Sequence, residues 1–509
     1  MFYQSLKRFT SVFILFALLL ILPVCASGEE DTLFSGHVEL FSEGYMPAVS
    51  TLGTDITRGS TFNSYIMAEL EKQTKEINLK NFNLTINAFA NAYWALLNAH
   101  PEMFYVSGGF SYRAYGNQIV SVLPNYKYSG NNLKIRIKAF NTSLQKIVSY
   151  ASQADTPIGK LLLANDYICV NYEYDTTYSI YSPDEMLSEG KGVCQAYMLL
   201  YRAVLNELGF KSDYVTSEAM NHTWNMVYLD GSWYHIDVTW NDPVRDIPLG
   251  ACHSDFLLSD AGLKKAEHYG WLSYFSATNT QYDNFFWKDI TNPIPVIDDV
   301  IYYVQMSTDR ENRYIRSYDI SSGEIKSEHS FSGVANGKVV YPEPLWADRE
   351  HFYYSVQNKL YILDRAAKFV QAAYDTDDDD EYITRLFFKG NDLLMYIKEN
   401  NEKYGEIESL EIREITPFVL PSRMLTIQEE AFTHIFCTDL ILPDGIRSIE
   451  KRAFADCEAL TNVYLPESLK YIADDAFDGC KNGLTLIAPD DSYAEDYADD
   501  HDFNFIVTD

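Results

Sequence analysis

The sequence predicts a multidomain α+β chain with a β-rich middle module and a short C-terminal repeat solenoid. Three observations predict it. At 509 residues the chain is too long for one core, since domains run to about 150 residues each. Helical and strand patterns alternate through the first half, then give way to short aromatic and β-branched runs separated by turns. The last segment repeats itself: Leu420-Pro421, Leu442-Pro443 and Leu465-Pro466 recur at intervals of 22 and 23 residues.

The N-terminus has the parts of a secretory signal over residues 1–26. Lys7 and Arg8 precede an apolar run from Val12 to Val24, and Ala26, Ser27 and Gly28 are small enough for cleavage. A retained N-terminal membrane anchor is the alternative. The expected location is secreted or cell-surface. Export permits disulfides, yet the scatter of cysteines at 169, 194, 252, 437, 457 and 480 does not resemble a disulfide framework. The formal charge of −32 repels phosphate backbones, so nucleic acid is excluded as a partner.

Residues 30–150 read as an α+β module with an amphipathic helix over Ile86–Ala99, stopped at His100-Pro101-Glu102 and followed by a strand. Residues 155–290 hold the chemistry, opening on a helix from Ile158 to about Cys169. Residues 295–415 read as antiparallel strands, with Val300–Val304, Phe352–Val356, Leu360–Leu363 and Leu393–Ile397 the clearest. Within them Asp375, Asp377 and Asp379 match the start of a calcium loop. The required Gly is missing and Leu386 stands where the bidentate Glu belongs, so the run reads as a solvated loop. In residues 418–509, Ile427, Ile449 and Ile472 each precede an Ala-Phe pair by four residues. A period in the low twenties with fixed apolar positions is the mark of a leucine-rich solenoid. Cys457 and Cys480 share one place in successive repeats, which reads as a core ladder.

Gly190-Lys191-Gly192-Val193 leads to Cys194 at the start of a helix that runs to Leu208, with Tyr197, Leu200, Val204 and Leu208 as its buried face. A helix start favours a thiolate through the dipole, and its unpaired N–H groups suit an oxyanion. Further on, Asp230-Gly231 separates two alternating runs, His222–Leu229 and Ser232–Trp240, and predicts a two-residue hairpin. That loop pairs Leu229 with Ser232, so facing residue numbers sum to 461. His222 and Asp237 then become diagonal neighbours on one face. A thiol at a helix start beside a His–Asp pair is the arrangement for thiol acyl transfer. Cys194 is the expected nucleophile, His222 its base and Asp237 the carboxylate that orients the imidazole. Neither a metal nor a cofactor is called for.

The strings Gly192-Val193-Cys194-Gln195-Ala196-Tyr197, Asn221-His222-Thr223-Trp224-Asn225 and Asp230 through Trp240 resemble the bacterial transglutaminase-like superfamily. Tyr174-Asp175 and His253-x-x-Phe256-Leu257 also fit, and the resemblance covers about residues 155–260. It implies a papain/transglutaminase-like core with Cys194, His222 and Asp237 as a triad. It also implies a second oxyanion donor upstream of the cysteine. Tyr174 is the candidate, with Gln195 and Trp224 as further oxyanion or substrate contacts. The repeats resemble the cell-surface type, whose arrays end in a tail like Ser492-Tyr493-Ala494-Glu495-Asp496-Tyr497-Ala498. The resulting expectation is an exported cysteine acyl-transfer enzyme, either a protease or deamidase or a transglutaminase, acting on protein or peptide amides. A surface protein or cell-wall partner would bind through the repeats. The rival is a non-catalytic adhesion or scaffold protein that retains the triad fold.

Overall fold

The computed structural model describes residues 33–38, 61–242 and, with short breaks, 248–508. The expected signal segment, Cys25, Asp377, Asp379, Leu420-Pro421 and Cys437 lie outside the described residues. Among the described residues no helix is long and apolar enough to cross a membrane. The chain divides into two compact units, residues 1–301 with 318–324, and residues 302–317 with 325–509.

The first unit opens with β1 (Leu33–Val38), α1 (Thr61–Glu71), β2 (Ile77–Asn78), α2 (Ile86–Ala99), β3 (Val106–Tyr115) and β4 (Gln118–Tyr126). These strands form a sheet ordered β1-β3-β4-β2. Helix α2 has the bounds its pattern predicts, because Thr85 Oγ1 accepts from Ala88 N at 3.1 Å and Pro101 follows its end. Two longer helices follow, α3 (Gly130–Ala151) and α4 (Pro157–Asn171), the second starting on a capping Thr156 with Pro157 in its first turn.

Next come β5 (Glu173–Tyr174), α5 (Pro183–Glu189), β6 (Lys191–Gly192) and α6 (Cys194–Glu207). Ser182 precedes α5 without capping it, because its hydroxyl donates to Asp184 instead. Helix α6 buries Tyr197, Leu200 and Val204 as its spacing predicts, whereas Leu208, expected on the same face, follows its last residue and is half-buried, and Gly209 supplies the left-handed residue beyond. A five-stranded antiparallel sheet follows. Its members are β7 (Ser212–Ser217), β8 (His222–Leu229), β9 (Ser232–Ile236), β10 (Phe256–Leu258) and β11 (Trp271–Leu272), ordered β10-β9-β8-β7-β11. α6 lies against β8, where Asn225 Nδ2 donates to Met198 O at 3.1 Å.

The hairpin register runs from Leu229↔Ser232 to Asn225↔Ile236, with Asp230 and Gly231 both at positive φ (48° and 83°). Positive φ at both loop residues is what a type I′ turn requires. The ladder then ends. Residues 238–240, expected to prolong the strand, instead form a short helix α7 (Val238–Asn241), because the Asp237 carboxylate accepts from Trp240 N at 3.1 Å and caps it. The unit continues through β10 and α8 (Asp260–Lys265) to β11.

In the second unit, strands Leu345–Ala347, His351–Val356, Lys359–Asp364 and Val370–Asp375 form one antiparallel sheet. Glu381–Lys389, Asp392–Glu399 and Glu406–Glu411 form another. Asp375, the first member of the calcium-like run, pairs with Lys359 at 2.7 Å. Towards the C-terminus the pairing turns parallel. Leu440 aligns with Val463 and then Leu486, while Ile427 aligns with Ile449 and then Ile472. All six are buried, so one-residue precision in the repeat is enforced by burial.

Phe454 stacks between Phe432 (5.7 Å) and Phe477 (5.6 Å) and is fully buried. Phe454→Ala should therefore destabilise this segment by about 3–5 kcal/mol, read as an earlier urea transition. A change under about 1 kcal/mol would mean that the ladder does not hold the repeats together. Cys457 and Cys480 are thiols, not a disulfide. They make equivalent bonds one repeat apart, Cys457 Sγ to Phe432 O at 3.4 Å and Cys480 Sγ to Phe454 O at 3.2 Å.

Candidate active site

Cys194 is the first residue of α6, and the approach to it is tightly built. β5 and β6 pair in parallel, setting Tyr174 beside Gly192. A Cβ on Gly192 would come within 2.7 Å of the Ala196 side chain, so only glycine fits there. Asp175, buried just beyond Tyr174, accepts from the backbone N–H of Thr177 (3.0 Å), Ser179 (2.7 Å) and Ile180 (3.0 Å). Burial works to raise its carboxyl, but the hydroxyl and backbone donors of Thr177 and Ser179 hold it well below the usual range. Val193 N then donates to Ile180 O at 2.9 Å, which fixes the residue before the thiol. No side chain caps α6, and the first N–H groups of a helix, here at Cys194 and Gln195, have no acceptor within the helix itself. Cys194 and Gln195 are both half-buried.

His222 begins β8. Its Nε2 donates to Asp237 Oδ2 at 2.6 Å, and Cys194 is among the groups that act on the same ring. With Nε2 taken by the carboxylate, Nδ1 is the nitrogen left to the thiol. Asp237 sits at the turn from β9 to α7, where its backbone N donates to Asp255 O at 2.9 Å. Its carboxylate is wholly buried and takes three donors: Trp240 N on Oδ1, and both His222 and His268 on Oδ2. Burial works to raise its carboxyl, but the charge and hydrogen bonds of His222, with those of His268, overcome this and hold it far below the ordinary range.

His222 is shifted the other way. Burial opposes its imidazolium, yet the charge and hydrogen bond of Asp237, joined by Cys194, outweigh it and push the ring up to about 10. The sign of the resulting pH dependence is fixed. A ring that binds its proton more tightly when folded adds stability that is complete below its ordinary 6.5 and is lost as pH rises through about 10. Asp237 contributes in the opposite sense, above its ordinary 3.8, and its share is lost only in strong acid. The melting temperature of the wild type should therefore fall more steeply between about pH 6.5 and 10 than that of His222→Gln, whose amide does not titrate. Parallel melting profiles would contradict this.

The rest of the expected set divides. Tyr174 is half-buried and paired with Gly192, two residues before the thiol; burial first, then the field of Cys194, raises its phenol. Trp224, expected as a substrate contact, is 1% exposed and is corrected here: it stacks on His222 (5.4 Å between centroids) and donates Nε1–H to His235 Nδ1 at 3.1 Å. A ring this enclosed orients His222 and offers no face to a substrate. His235 on β9 is buried between Trp224 and Asp260 Oδ1 (2.9 Å), and burial lowers its basicity. Below α7 a buried polar chain runs from Asn241 to Asn165 (2.9 Å), Asp166 (3.0 Å) and His253 (2.7 Å), which fastens the turn that carries Asp237.

His268 is absent from the sequence-based set. It lies 31 residues beyond Asp237, between α8 and β11, and no motif marks it. His222, Asp237 and His268 each offer an atom within 4.8 Å of the others, as a metal site would require. The same atoms are engaged in the two short His–Asp bonds, and the trio is a hydrogen-bonded set.

Residues 145–238 match the family model of the transglutaminase-like superfamily. The chain carries a transglutaminase-like domain. Residues 408–497 match the BspA type leucine rich repeat region in six copies, where three were legible in the sequence. Among solved structures, a TGase is 20% identical over 24% of this chain and 41% of its own, with a TM-score of 0.20. A candidate cysteine protease from Cytophaga hutchinsonii is 17% identical over 25% of this chain and 56% of its own, with a TM-score of 0.18. An arylamine N-acetyltransferase from Bacillus cereus, described with a Cys-His-Glu triad, is 11% identical over 46% and 93%, with a TM-score of 0.18. The chain thus spans about half the length of the first two. A search of curated proteins gives no match.

Proposed function

We propose that this chain is an exported cysteine acyl-transfer enzyme acting on protein or peptide amides, with Cys194 as nucleophile, His222 as base and Asp237 as its orienting carboxylate. The observation that carries the reading is the buried His222 imidazole, bonded to the Asp237 carboxylate at 2.6 Å, with Cys194 among the groups that act on it. His222 takes the thiol proton, and Cys194 Sγ attacks the amide carbon to form a tetrahedral adduct. The N–H groups at the uncapped start of α6, at Cys194 and Gln195, receive the oxyanion with Tyr174. His222 returns the proton to the leaving amine, and the C–N bond breaks to leave a thioester. Water then gives an acid and a free thiol, whereas a primary amine gives a new amide.

Hydrolysis is the favoured outcome, because the half-buried Cys194 is open to solvent on one side. Glutamine-containing casein, offered with and without a labelled primary amine, separates the two outcomes. New N-termini or ammonia without amine incorporation is the expected result; amine incorporation as the main product would reverse the assignment to cross-linking. The repeats matched over 408–497 support contact with a surface protein or cell-wall partner. They also favour the second reading, a display protein that keeps the fold without the chemistry.

A further inference from the structure

Asp237 Oδ2 is shared. His222 Nε2 approaches it at 2.6 Å and His268 Nε2 at 2.9 Å, and both imidazoles are buried, His268 at 1% exposure. The other nitrogen of His268, Nδ1, faces Ala266 O at 3.2 Å and Asp255 Oδ1 at 3.7 Å. Oxygen atoms thus face both nitrogens of this ring, and Nε2 donates to Asp237 Oδ2. The ring is also clamped by aromatics, with Trp240 at 4.0 Å and Trp224 at 5.0 Å between centroids. Its backbone is fixed as well: His268 N donates to Leu263 O at 3.2 Å, and Ser217 Oγ holds the next residue through Tyr269 O at 2.7 Å.

We propose that His268 is a positioning residue, which by donating to the same oxygen as His222 divides the charge of Asp237 between two imidazoles and limits how firmly His222 holds its proton. This rests on the reading of Cys194 and His222 given above. A base that must take the thiol proton and then release it to a leaving amine works best when neither transfer is steeply uphill. A lone buried carboxylate at 2.6 Å would favour the imidazolium strongly and hinder the second transfer. A second donor on that oxygen weakens the pull while keeping the carboxylate in place. The ionisable groups around the pair all come from this unit: Cys194 on α6, Tyr174 on β5, Cys169 on α4, His235 on β9, Asp255 before β10 and His268 after α8. Of these, His268 alone shares the carboxylate oxygen with His222.

The test uses the full chain with histidine-selective isotope labelling, the His222 resonance being assigned by its loss in His222→Gln. His268→Phe keeps a ring between Trp224 and Trp240 and removes both ring nitrogens; His268→Gln keeps one side-chain donor. The His222 titration midpoint is expected to rise by about one pH unit in His268→Phe and by less in His268→Gln. An unmoved midpoint in folded His268→Phe overturns the inference. If that variant does not fold, an unmoved midpoint in His268→Gln overturns it, because a single amide N–H then replaces the clamped imidazole on Asp237 Oδ2. Alkylation of Cys194 by iodoacetamide in the wild type is followed in parallel. Its absence would remove the acyl-transfer reading, while the titration still decides how Asp237 is shared.

Discussion

Cys194→Ala should abolish acyl transfer, lowering turnover by a factor on the order of 10⁴ to 10⁶, because the covalent route is lost and only binding and oxyanion contacts remain. The same substitution should leave the fold almost untouched. Cys194 is half-buried at the first position of α6, where alanine is the better helix former, so a stability change within about 1 kcal/mol is expected. Casein cleavage and amine incorporation measure the first, and thermal unfolding measures the second. Full activity in a folded Cys194→Ala protein would place the chemistry elsewhere.

Asp237→Ala should be damaging in both respects. It removes the acceptor shared by His222 and His268 and the cap of α7 together. Breaking a buried ion pair costs about 3–5 kcal/mol, and a lost cap adds about 1 kcal/mol. Asp237→Asn separates the effects, since it retains shape and a capping oxygen. Its amide presents one face that donates, so it cannot accept from two imidazole N–H groups at a single site and also cap the helix as the carboxylate does. Turnover should drop by roughly 10³ to 10⁴ with much of the stability kept. Near wild-type turnover in Asp237→Asn would mean that the carboxylate neither orients His222 nor supports its charge.

The parts of this site that could be read from sequence are those fixed by local rules. Asp230-Gly231 demands a two-residue turn, and the turn sets the register as far as Asn225↔Ile236. Cys194 at a helix start follows from the glycines before it and the apolar spacing after it. The run Val238-Thr239-Trp240 misleads, because β-branched and aromatic residues favour strands, while the decisive event is a capping bond from the residue before them. Trp224 misleads in another way. Alternation places it on the face of His222 but does not reveal that β11 brings Trp271 to within 6.3 Å and that His268 closes over it at 5.0 Å. His268 itself arrives through tertiary folding alone, outside the span matched by the family model. In the repeats, the apolar ladder is legible wherever isoleucine and phenylalanine keep their places. The strands Thr485–Ala488 and Asn504–Val507 join the parallel sheet without the Leu-Pro signature, and so escape a reading by motif.

The central claim is that Cys194, His222 and Asp237 act as one unit, and the rate of Cys194 alkylation tests it most directly. Iodoacetamide at neutral pH, with labelling mapped by mass spectrometry, should modify Cys194 faster than Cys169, Cys252, Cys457 or Cys480. That advantage should disappear in His222→Ala while the fold is retained. Equal rates at Cys194 in the wild type and in His222→Ala would contradict the account.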